Sequence, residues 1–200
     1  MSGSESEQGR QVAAGRAEAE TTVRRSVFRA VAAPATDRDQ ALAEVEAARL
    51  RHPDARHHCW AWQGANSAAS SDDGEPSGTA GRPILNVIGH KAISDVVVVV
   101  SRDFGGVKLG AGGLVRAYAG AAEAALSGLP LSLDRPMTRC RLEMDFAMEQ
   151  PLRHWLSGQP SVQLASIDYA EAVHVALDAP ADVLAFLEDW CAARGVTCRR

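Results

Sequence analysis

Five consecutive valines, Val96 to Val100, constrain this chain more than any other feature. β-Branched side chains favour the pleated backbone, and an apolar run without polar alternation implies burial on both faces of a sheet. The segment is therefore predicted to be a central strand. A glycine cluster, Gly105, Gly106, Gly110, Gly112 and Gly113, follows it directly, and Leu114 to Leu126 then reads as an alanine-rich helix with Gly120 inside. Small residues at such positions allow a helix to pack close to a sheet.

Two hundred residues suit one large domain or two small ones. Hydrophobic residues at 46% and charged residues at 23% match ordinary globular usage, so the chain can bury a core. The net charge of −4 argues against nucleic-acid affinity from bulk charge alone, so any basic surface must be local. Only Lys91 and Lys108 are lysines, and the remaining cations are arginines, whose planar fork suits phosphate and carboxylate. Cys59, Cys140, Cys191 and Cys198 are dispersed and form no CxxC pair, which fits reduced thiols in a cytoplasm. No apolar run approaches membrane-spanning length and the start has no signal-like pattern, so a cytoplasmic, soluble protein is expected.

Residues 1–20 carry four acidic and two basic charges among small polar residues and read as a disordered tail. Val27, Phe28 and Val31 suggest a first strand. Thr36 followed three residues later by Asp39 resembles a helix-start box, and Ala41, Leu42, Val45, Ala48 and Leu50 supply the helical stripe. The segment His57 to Trp62 is aromatic and strand-like, and Gly64 to Ser71 reads as a mobile loop. From about residue 129 the pattern restarts as strand 137–146, helix 149–156, strand 161–169, strand 172–178, helix 180–194 and strand 195–199, the ferredoxin-like order.

The stretch Arg102 to Arg116 carries the clearest chemistry. It leaves the valine strand, crosses a glycine-rich loop and enters a helix, so backbone N–H groups and the positive helix end can converge on an anion. Arg102, Lys108 and Arg116 against Asp103 give a local balance of +2. The spacing fits neither the GxxxxGK[ST] nor the GxGxxG nucleotide fingerprint. Tight turning and close helix packing are the competing explanation for the glycines.

Asp72, Asp73 and Glu75 lie in a Gly/Pro-rich turn before a second predicted helix, where they either cap amide groups or hold a hard cation. His57 and His58, as strand neighbours, point to opposite faces, so at most one of them faces a cleft with these carboxylates. No GxSxG nucleophile elbow is present, and no metal site, cofactor or catalytic residue is assigned.

The motifs HPDARHHCWAW at 52–62, SDDGEPSGTAGRPIL at 71–85 and VVVVVSRDFGGVKLGAGGLVRAY at 96–118 resemble, in this order, the YigZ/IMPACT family. The resemblance covers about residues 23–128. It implies an N-terminal α/β domain of ribosomal-protein type, like the fourth domain of elongation factor G and containing a left-handed crossover. A C-terminal ferredoxin-like α+β domain would follow it. The expected division is 1–20 tail, 21–128 and 129–200. Eukaryotic relatives are linked to translational control through a stress-responsive kinase pathway, and bacterial members are suggested to bind RNA or the ribosome. The family usually has a Tyr after the motif arginine, where this chain has Asp103. That substitution implies added negative charge beside Arg102 and the loss of a stacking surface.

The expectation is therefore a translation-associated regulatory protein that binds RNA or the ribosome. Its anion-binding cleft would be formed by Arg82, Arg102, Lys108 and Arg116 with Gly105, Gly106, Gly110, Gly112 and Gly113, and His57, His58, Asp72, Asp73 and Glu75 would line a neighbouring cleft. The alternatives are an enzyme acting on phosphate esters or nucleotides, and a module for a translation-factor or kinase-pathway partner that docks through Trp60, Trp62 and a mobile acidic loop.

Overall fold

The computed structural model describes residues 9–200, with 10–134 forming one compact unit and 135–200 the body of a second. The first unit runs β1 (Arg10–Ala13), β2 (Ala17–Val23), β3 (Ser26–Pro34), α1 (Arg38–Arg51), β4 (His57–Gln63), β5 (Ala68–Ser71), α2 (Gly81–His90), β6 (Ile93–Ser94), β7 (Val96–Asp103), α3 (Ala111–Ser127) and β8 (Leu131–Asp134). The second runs β9 (Met137–Met144), a 3₁₀ turn (Phe146–Met148), α4 (Glu149–Ser157), β10 (Gln163–Tyr169), β11 (Val173–Pro180), α5 (Ala181–Ala192) and β12 (Thr197–Arg199).

The valine run is the middle strand of an antiparallel five-stranded sheet, ordered β2-β3-β7-β4-β5. Its two-residue period sorts the valines onto two cores. Val96, Val98 and Val100 pack with Ile84 and Ile88 of α2 and with Tyr118, Ala121 and Ala122 of α3, whereas Val97 and Val99 pack with Trp60, Trp62 and the α1 residues Ala41, Val45 and Ala48. The alanines of α3 let that helix approach the sheet closely, as the composition implied.

Helix α1 starts one residue later than the Thr36 box predicts. The Asp37 side chain accepts from the Gln40 amide at 2.8 Å, and Gln40 Oε1 accepts from the Thr36 amide at 3.0 Å, so the reciprocal cap is centred on Asp37. Leu42 and Leu50 of the expected stripe face outward.

Part of the expected tail is ordered. Residues 1–8 lie outside the described residues, whereas β1 joins β6 and β8 in a three-stranded sheet and β2 takes the edge of the main sheet. Strand β2 docks because Ala17, Ala19 and Val23 alternate onto the α3 side, with Glu18 and Glu20 facing outward to Arg51 and Arg29. Averaged composition hides that period-two pattern. The expected mobile loop 64–71 likewise ends in β5, paired with β4 from Trp60 to Gln63. The restart expected near 129 comes later, since Leu129 is buried in the first core and β8 pairs with β1.

The second unit is ferredoxin-like. Its antiparallel sheet is ordered β10-β11-β9-β12, and Leu152 of α4 together with Leu184 and Leu187 of α5 covers Cys140, Leu142, Val175 and Leu177. All four thiols are unbridged, and among the described residues no helix is long and apolar enough to cross a membrane.

Candidate functional site

Arg102 occupies the last turn of the pleat on the α3 side of β7, opposite Phe28 on β3 and His57 on β4. It is buried. Its Nη1 lies 2.6 Å from Glu75 Oε1, which also accepts from the Tyr118 hydroxyl at 2.8 Å, and Nη2 donates to Ser26 Oγ at 3.4 Å. The guanidinium carbon sits 5.5 Å from the Phe28 ring centroid and 5.6 Å from that of Phe104. Nε is buried without a hydrogen-bond partner among the described residues. Burial in this cluster pushes the Tyr118 hydroxyl far up and the Cys59 thiol up to about 12, so both stay protonated at neutral pH.

The three carboxylates of the SDDGEPSG loop serve separate internal partners. Asp72 accepts from the amides of Gly78, Ala80 and Gly81 at 2.7, 3.0 and 2.8 Å, capping α2. Burial opposes ionisation of this carboxyl, but the three amide donors outweigh it and hold its pKa below the usual carboxylate range. Asp73 accepts from the His58 amide at 2.7 Å and from Arg49 Nη2 at 2.9 Å, and these bonds likewise overcome burial to lower its pKa. Glu75 is committed to Arg102.

His57 and His58 face opposite ways, as neighbours on a strand must. His57 Nδ1 is 2.8 Å from the Asp73 carbonyl, whereas His58 Nδ1 is 2.8 Å from Ser101 Oγ on the α1 side of the sheet. Burial, then the nearby Arg49 charge, lowers the His58 pKa. Of the expected cleft, the structure brings together His57, His58, Asp72, Asp73 and Glu75, but as a bonded frame that fixes the loop. Among the described residues no group of three His, Cys, Asp or Glu side chains is arranged to hold a metal ion.

The glycine loop bends against the β2–β3 hairpin. The Gly105 amide donates to Ser26 Oγ at 3.2 Å, and a Cβ at Gly105 would lie 2.0 Å from the carbonyl carbon of Arg25. The amides of Gly106 to Gly110 donate to no protein group among the described residues. Gly110, at φ +71°, precedes α3 without a side-chain cap, so the first amides of the helix also lack an intrahelical acceptor.

The four expected cations divide among three cavities. Arg102 and Lys108 line one of about 250 Å³ with Glu75, Phe104, Gly110 and Ala111. Arg116 lines a second, of about 180 Å³, with Arg24, Leu109 and Gly113, and Leu109 is common to the two. Arg82 stands apart in a cavity of about 300 Å³ between α2 and α3, with Asn86 and Val115. The positive charge of Arg102 is matched by Glu75, so the exposed cations around Leu109 are Lys108, Arg116 and Arg24, none of them ion-paired among the described residues.

The Impact N-terminal domain family matches residues 24–126, a span that includes Arg24, the carboxylate loop, Arg102 and the whole of α3 but for its last residue. The chain is 35% identical over 164 residues to the IMPACT family member YigZ of Escherichia coli strain K12, covering 80% of each. This chain belongs to the IMPACT family. An IMPACT family member from Thermus thermophilus is 50% identical over 108 residues, covering 54% of this chain and 59% of that protein. A crystal structure described as that of a hypothetical protein covers 96% of both chains with a TM-score of 0.66 and 32% identity. The family match thus takes in the α3 entrance, and the two-unit architecture extends to the solved relative.

Expectations about Asp103, the stacking surface and the two tryptophans change. Asp103 turns to the α1 side and pairs with Arg29, so its charge is spent there. Phe104 supplies the aromatic surface instead, 48% exposed and lining the Arg102 cavity. Trp60 and Trp62, offered as docking residues, are core side chains, and the Trp62 indole donates to the Ala35 carbonyl at 2.8 Å.

Sequence reasoning missed Arg24 and Arg25. They form the two-residue tip of the β2–β3 hairpin with φ of 45° and 69°, the positive values that a type I′ turn requires. Such turns normally advertise themselves with Asn or Gly, and here the only available signal was an Arg-Arg pair between two alternating segments.

Proposed function

We propose that this IMPACT family chain is a translation-associated regulatory protein that binds RNA or the ribosome through the surface at the start of α3. The observation that carries the reading is the meeting of uncapped α3 amides with Lys108, Arg116 and Arg24 around Leu109, inside a protein whose net charge is −4. A helix N-terminus and exposed guanidinium groups recognise phosphate oxygens without reading sequence. The half-exposed Phe104 ring beside them adds a face on which an unpaired base can stack. Family membership supplies the translational context, because eukaryotic members are linked to translational control.

The test is filter binding of structured RNA by the full chain across a salt series. Affinity falls as salt rises, and Lys108→Gln and Arg116→Gln each reduce the slope of log affinity against log salt by about 0.7 to 0.9, one phosphate contact apiece. Absence of binding at low salt, or slopes unchanged in both variants, overturns the reading.

A further inference from the structure

The outer face of the C-terminal sheet carries two rows of side chains that the RNA reading does not use. Register pairs Arg199 on β12 with Arg141 on β9, Arg141 with Ala176 on β11, and Ala176 with Ser166 on β10. The next row along the same face is Thr197, Glu143, His174 and Asp168. These eight residues line a cavity of about 340 Å³, in which Ala176, the smallest of them, stands between Arg141 and Ser166.

Arg141 and Arg199 are the anomaly in this face. Like charges directly opposite one another on antiparallel strands destabilise a sheet. Both side chains are exposed, and neither guanidinium has an ion-pair or hydrogen-bond partner among the described residues. The adjacent Arg139 shows the ordinary solution, since it faces Asp178 in register and holds both its oxygens at 2.9 and 2.7 Å. Glu143, although on the same face, lies beyond ion-pair distance of both arginines.

We propose that the Arg141–Arg199 pair, with the gap over Ala176, is a binding site for a small phosphate monoester. One guanidinium fork saturates a carboxylate, whereas two forks side by side match the three terminal oxygens of a phosphate. Glu143 and Asp168, on either side of His174, face the remainder of the ligand and accept from its hydroxyl or amino groups. The same carboxylates select against a nucleic-acid strand, because a second phosphate about 7 Å along the face would meet the acidic row. The cavity volume is at the size of small-molecule sites. Binding of the ligand would supply the counter-charge that the pair lacks.

The experiment follows the ring signals of His174, which lines this cavity, in NMR spectra of the full chain titrated with inorganic phosphate and with ribose 5-phosphate at fixed pH. Both probes produce a saturable shift, with ribose 5-phosphate half-saturating at a lower concentration. Arg141→Gln and Arg199→Gln each abolish the shift while keeping the dispersed spectrum of the folded unit, because each removes one of two repelling charges. Ala176→Leu, which fills the gap and keeps both arginines, weakens it at least tenfold. Lys108→Gln leaves it unchanged, which separates this site from the surface at α3. No saturable shift with either probe, a shift that survives both arginine variants, or a response to an RNA oligonucleotide but to neither probe overturns the proposal.

Discussion

The Glu75 carboxylate and the Arg102 guanidinium meet at 2.6 Å with side chains only 4% and 7% exposed, which makes them a buried ion pair between the SDDGEPSG loop and the central strand. Removing one partner strands a charge away from water, whereas replacing both with apolar groups of similar shape does not. Glu75→Gln is therefore expected to cost about 3 to 5 kcal/mol. The double variant Glu75→Leu/Arg102→Met recovers most of that loss, and hydrogen exchange of the β7 amides measures both. RNA affinity falls little in the double variant if Lys108, Arg116 and Arg24 carry the phosphate contacts.

Asp72 ties the loop to α2 through three amides, so its loss removes a cap and leaves several donors without acceptors. Asp72→Ala is expected to destabilise the N-terminal unit by about 2 kcal/mol, the upper part of the range for a helix cap. The pH dependence follows from the lowered pKa values of Asp72 and Asp73. The unfolded chain binds protons near the usual value of about 3.9 while the folded chain still resists them. Their contribution is complete above that pH and is lost as pH falls through the lower folded values. Asp72→Ala narrows the acid loss, as denaturation midpoints between pH 5 and 2 will register.

The features legible in the sequence are those with a local period. The valine run gives both cores of the sheet, and turn signals with helical spacing give the βαββαβ order of residues 137–199. Glu75 and Arg102 stand 27 residues apart, and nothing local announces that a loop carboxylate will cross to a strand. The cations between 102 and 116 were expected in one cleft because they are close in sequence. Helical rotation instead sends Arg116 to the hairpin side of Leu109 while Lys108 stays with Phe104. Strand β2 escaped because four acidic residues in the first 20 outweighed, on average, the alternation that docks it.

His58 gives a second pH response in a different window. Its ring is buried beside Ser101, and burial followed by the Arg49 charge holds its pKa below the ordinary value of about 6.5. A depressed histidine pKa means that the unfolded chain takes up the proton first. Stability is complete above about pH 6.5 and declines as pH falls toward the folded pKa. In His58→Gln, which keeps a hydrogen-bonding group toward Ser101, urea midpoints at pH 7.5 and 5.5 converge. A wild-type difference that persists in this variant assigns the effect to other groups.

Gly105 and Gly106 separate two reasons for a glycine in the same loop. At Gly105 a methyl group would meet the Arg25 backbone at 2.0 Å, so the loop must move away from the hairpin. At Gly106 the space is open and only the positive φ of 81° disfavours a side chain, by roughly 1 to 2 kcal/mol. Gly106→Ala is thus expected to lower stability modestly and leave RNA affinity within about twofold, a change of under 0.5 kcal/mol. On the proposed reading, Gly105→Ala moves the loop that carries Lys108 away from the hairpin that carries Arg24 and weakens RNA binding even in the fraction that remains folded. Paired measurements of melting temperature and filter-binding affinity decide between them: equal affinity in the two variants would mean that contact between the hairpin and the loop does not shape the binding surface.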